Sequence, residues 1–196
     1  MSLLRKARFL FQITRTHDIV RRYFVVNGFD GALTMLGLII GFLVSAPADL
    51  SVVISVCLSA AIALGMSGVS SAYISESAER QHALGKLEDA MVSNLQQSAH
   101  GEAARAVPLL IALVNGMAPL VISLFILMPL FLSSVGIHLP VSPLYAAIIV
   151  AVVLIFLLGV FLGKIAGISW IRSGIQTVLV ASMTAALIYL FTAPWA

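Results

Sequence analysis

The stretch "NGFDGALTMLGLIIG", residues 27–41, sets one carboxylate, Asp30, inside an otherwise apolar run. Wound as a helix at about 100° per residue, Asp30, Thr34, Gly37 and Gly41 fall in one narrow stripe. Gly37 and Gly41 form a GxxxG pair, a spacing that lets a second helix approach closely. The stripe is therefore read as a helix-contact face and as the dimer interface, with Asp30 at its start. An acid on such a face within a membrane span is a candidate site for a cation or a proton. A competing reading makes Asp30 the cap of its own helix N-terminus, where a carboxylate is also favourable.

A second group lies in "LGMSGVSSAYISESAERQ", residues 64–81. On a helix Met66, Ser70, Tyr73 and Ser77 share one face, and Glu76 and Glu79 lie on an adjoining one. A thioether, hydroxyls and carboxylates together suit a borderline divalent ion such as ferrous iron or manganese. Taken singly, Met66 reads as a flexible core filler and the Ser and Gly residues as packing. Further on, Glu79, His82, Glu88 and Asp89 could collect metal on the cytoplasmic side, although a solvated helix of mixed charge has the same pattern. Asn115 either lines a path or bonds a neighbouring helix. There is no HExxH, no GxSxG and no Gly-rich phosphate loop, and the four histidines are scattered along the chain. The expectation is a protein that is not an enzyme and holds no resident cofactor.

These residues need elements to hold them. The chain is 61% hydrophobic and 10% charged, a balance that belongs to a membrane protein and not to a soluble domain. Segments of about 20 apolar residues cross the hydrocarbon, and five qualify, at 24–46, 51–75, 107–132, 144–163 and 171–193. The fold class is all-α, a polytopic protein with five transmembrane helices. The basic residues set its orientation, because they collect on the cytoplasmic side. All eleven Lys and Arg lie before span one, between spans two and three, or in the connection from span four to the start of span five. The N-terminus is thus expected in the cytosol and the C-terminus outside.

Residues 1–22 mix Leu, Phe and Ile with basic residues and read as an amphipathic cytoplasmic helix, ahead of a transmembrane domain over 23–196. A short helical cytoplasmic segment is expected at 77–104, continuing span two without a turn. Pro119 and Pro129 are expected to kink span three. Cys57, the only cysteine, lies in an apolar run and reads as packing.

Three stretches carry a resemblance. "NGFDGALTMLGLIIG" resembles the Asp-Gly first-span signature of the vacuolar iron transporter family, and "GMSGVSSAYISESAER" its second-span segment. "LIFLLGVFLGKIAGISWIRSGIQTVLVASMTAALIYL" is similar to its last hairpin. The resemblance covers nearly all of 22–192. It implies a homodimer whose first spans line a path at the two-fold axis, exporting ferrous iron or related divalent ions from the cytosol in exchange for protons. Asp30 falls on the family's metal- and proton-coupling Asp, and Met66 on its second-span Met. Two opposed Asp30 carboxylates would repel, and a cation or proton would relieve that repulsion. The sequence departs from the family in two places. Ala72 stands where a Glu is usual, with Glu76 the candidate to replace it one turn later. The long cytoplasmic metal-binding domain of some members is also missing.

The expected function is therefore transport of Fe2+ or Mn2+ by a multi-pass protein of the cell membrane, or of a vacuole-like organelle membrane in a eukaryote. Its expected partners are the lipid bilayer, a second copy, divalent ions and protons, with no nucleic acid. The alternative is a membrane scaffold or metal sensor that keeps the fold without transporting.

Overall fold

Long runs of Leu, Ile, Val and Ala leave the backbone no water to bond to in hydrocarbon, so the chain satisfies its amides within helices. The computed structural model describes residues 16–45, 49–138 and 140–192. Over these it contains five α-helices: α1 (Thr16–Val44), α2 (Leu50–Met91), α3 (Ala99–Ser134), α4 (Pro143–Ala166) and α5 (Trp170–Thr192). All five are long and apolar enough to cross a membrane, which bears out the all-α, five-helix reading.

The ends differ from the expected spans. Helix α1 starts at Thr16, eight residues before the span expected at 24–46, and α2 and α3 reach well into polar sequence. Hydropathy reports only the apolar part of a helix, whereas backbone bonding continues through "YISESAERQHALGKLEDAM". The boundary expected at 22/23 falls inside α1; most of the amphipathic helix expected over 1–22 lies outside the described residues. Helix α3 runs continuously through Pro108, Pro119 and Pro129.

The segment expected to be helical over 77–104 is interrupted at residues 92–98. Side chains hold the break. The Leu95 amide donates to Glu88 Oε1 at 2.8 Å, and Gln96 Nε2 donates to Glu88 Oε2 at 3.5 Å. The Gln96 amide donates to Asn94 Oδ1 at 2.9 Å, and Ser98 Oγ donates to the Leu95 carbonyl at 2.6 Å. Asn and Ser compete with helical bonding in this way. Val92 opens the break with φ of 48°, a left-handed conformation that a β-branched residue adopts at a cost. Val92→Gly should stabilise the protein by about 1 kcal/mol. A thermal melt in detergent no higher than wild type would show that Val92 carries no strain.

The described residues form two compact units. One contains residues up to Phe24 with 65–117, and the other residues 25–64 with 118–196. In the second unit Met35, Ile39, Cys57, Ile126, Leu127 and Ile155 are fully buried in one apolar core to which all five helices contribute, α5 through Ala181. Cys57 is a free thiol within it. Gly31 of α1 lies against the backbone of Pro119 in α3: a Cβ added there would stand 2.7 Å from Pro119 Cα. Gly31→Ala should therefore destabilise the protein by about 2 kcal/mol. Gly28→Ala is the control, because its new methyl would meet only side-chain atoms at 3.4 Å or more. Equal melting of the two variants would mean that α1 can shift freely. In the first unit Ala103, Val107 and Ile111 form a smaller core with Val20 and Tyr23.

Candidate functional site

Asp30 does not cap a helix. With α1 beginning at Thr16, it sits about four turns in, far beyond the first turn where capping and the helix dipole act. It also lies roughly 15 Å along the axis from Val20, where the apolar span begins. Its side chain is exposed and, among the described residues, has no hydrogen bond or ion pair. It lines a cavity of about 160 Å³ in the second unit, with Phe29 beside it on α1, Leu158 and Leu162 on α4, and Thr177 on α5. The Thr177 hydroxyl is bonded locally, donating to the Ile155 and Gly174 carbonyls at 3.1 and 2.8 Å.

The rest of the stripe is mixed. Thr34 is half-buried. A Cβ on Gly37 would meet Ile188 Cδ1 of α5 at 3.0 Å, so this glycine already packs within its own chain. Among the described residues nothing lies within 4 Å of the corresponding point on Gly41. Of the GxxxG pair, only Gly41 faces open space.

The first unit holds the other candidates. Glu76 is buried, whereas Met66 and Ser70 are exposed. The Tyr23 hydroxyl donates to Glu76 Oε1 at 3.4 Å, and Arg80 Nε lies 3.6 Å from Glu76 Oε2. The carboxylate therefore meets a phenol from α1 and a guanidinium one turn away on α2. Tyr23 was not among the sequence candidates. It is 53 residues from Glu76, and no local spacing links them. Ala72 is itself buried.

Asn115 bonds a neighbouring helix: its Nδ2 donates to the Gly68 carbonyl at 2.8 Å. The crossing there is tight. A Cβ on Gly68 would lie 3.0 Å from the Asn115 oxygen, and one on Gly116 would run into Val69 and the Gly65 carbonyl. "GMSG" and "NG" are thus the two halves of a close α2–α3 contact with an amide bond across it, as small-residue crossings in membranes use.

Among the described residues no three His, Cys, Asp or Glu side chains converge as a metal cage. Glu79, His82 and Asp89 are exposed along α2, and Glu88 is committed to the turn that follows.

Five apolar helices, the first with one carboxylate, Asp30, inside its span Val20–Val44, define an α-helical, membrane-embedded protein. The chain is 31% identical over 172 residues to Uncharacterized protein MJ0645 of Methanocaldococcus jannaschii, an alignment covering 86% of each. It belongs to the same family as that archaeal protein. No family model matches the chain, and no solved structure matches it.

Proposed function

We propose that the protein is a homodimeric transporter that exports divalent cations, ferrous iron or manganese, from the cytosol in exchange for protons. The observation that carries this reading is Asp30, a carboxylate four turns inside the first apolar helix with no hydrogen bond or ion pair among the described residues. An ionised Asp near the centre of a span costs about 3 kcal/mol on insertion scales, so the residue is in need of a counter-charge. A transiting cation or a proton supplies one. The distribution of Lys and Arg supports a cytosolic N-terminus in the cell membrane, or in a vacuole-like membrane in a eukaryote. Within this reading Asp30 and Thr34 are the path residues of the second unit, and Met66, Ser70 and Glu76 are the ion-handling candidates of the first. Glu79, His82 and Asp89 are the residues left to gather ions ahead of it.

The test is metal flux in sealed proteoliposomes with a trapped ferrous-iron indicator, with and without an imposed pH gradient. Protein-dependent flux that accelerates when the gradient opposes the ion supports exchange. Flux equal to empty liposomes under every gradient rejects transport. A scaffold or metal sensor is the second reading, favoured by Ala72 in place of a span-two carboxylate and by the lack of a three-ligand cluster among the described residues.

Dimerisation is tested at Gly41, since Gly37 also contacts Ile188. Gly41→Leu adds bulk where no described residue lies within 4 Å of the new Cβ. It should shift the protein from dimer to monomer in detergent, weakening association on the order of tenfold or more. An unchanged dimer by light scattering would move the interface elsewhere.

A further inference from the structure

We infer that the cavity beside Asp30 binds small lipophilic ammonium ions, a single ring or short branched hydrocarbon carrying one protonated amine. The wall composition is the reason. A metal ion needs several oxygen, nitrogen or sulfur ligands, and this cavity offers only two oxygen-bearing side chains among the described residues, Asp30 and Thr177. Val25, Phe29, Leu158 and Leu162 make most of the remaining lining. One anionic group at an apolar pocket fits an organic cation, whose charge takes the carboxylate and whose carbon body takes the walls. The neighbouring Phe29 adds an aromatic surface of the kind that favours ammonium groups. The volume, about 160 Å³, is that of an apolar cavity which admits a benzene-sized molecule. Asp30 is shared with the transport reading, but the site needs neither metal nor flux, so a bound amine would compete with a cation for one counter-charge.

The experiment uses the full chain in detergent micelles with 4-fluorobenzylammonium as the probe, read by fluorine NMR against protein-free micelles. A saturable shift displaced by benzylammonium is expected. The neutral isostere, 4-fluorobenzyl alcohol, should bind at least ~10-fold more weakly. Asp30→Asn should erase that preference. Leu162→Trp, which fills the cavity and keeps the carboxylate, should weaken amine binding by a similar factor, with size-exclusion profiles confirming that both variants are folded. Equal affinity for amine and alcohol overturns the inference, as does unaltered amine binding in Asp30→Asn, or no saturable binding to folded wild type. Transport without amine binding ends this inference and leaves the proposed function standing. Amine binding without transport does the reverse.

Discussion

Asp30→Asn should bring metal flux in proteoliposomes down to the level of empty liposomes. The substitution keeps the size and shape of the side chain and removes its charge. A cation crossing an apolar span without its counter-charge loses about 3 kcal/mol or more of stabilisation, so the expected fall is on the order of 100-fold. Because α1 begins at Thr16, lost capping cannot explain such a result. The variant is also expected to insert and fold, since the wild-type side chain makes no bond or ion pair among the described residues that Asn would break. Near-normal flux through Asp30→Asn would remove the principal support for a transporter.

Gly116→Leu should produce the largest structural loss. A Cβ at this position runs into the Val69 side chain and the Gly65 carbonyl, and a backbone carbonyl in a helix cannot rotate aside. Overpacking of a core by a methylene or two costs about 1–3 kcal/mol. Here the α2–α3 crossing must open and release the bond from Asn115 to Gly68, so a loss beyond about 3 kcal/mol is expected. In practice this means aggregation on size exclusion in mild detergent, or a melt far below wild type. Gly85→Leu is the matched control on α2, where no described residue lies within 4 Å. Indistinguishable melts for the two variants would mean that the crossing is loose.

The existence of the five helices was legible because apolar length alone decides it, while their ends were not. Tyr23 precedes the run 24–46 expected as span one and Arg80 lies in the polar continuation of α2, because helical backbone bonding continues past the point where the apolar signal stops. Asp30 stood out as a charge among apolar residues. Its misreading as a possible cap came from placing the helix start at the first apolar residue. The break after Met91 left a signal in Asn94 and Ser98, two residues whose short side chains bond locally. The Tyr23–Glu76 and Asn115–Gly68 contacts left none, since partners 53 and 47 residues apart meet only through tertiary packing.

The last two helices pack closely on each other, with Gly159 against Thr177 and Gly163 against Ser173. Only residues 167–169 separate them, so closing the hairpin costs little chain entropy. In biosynthetic terms, α4 and α5 can leave the insertion machinery already paired. Ser173 enters lipid buried and Thr177 enters with its hydroxyl bonded to Ile155 and Gly174, so neither waits exposed for the rest of the protein.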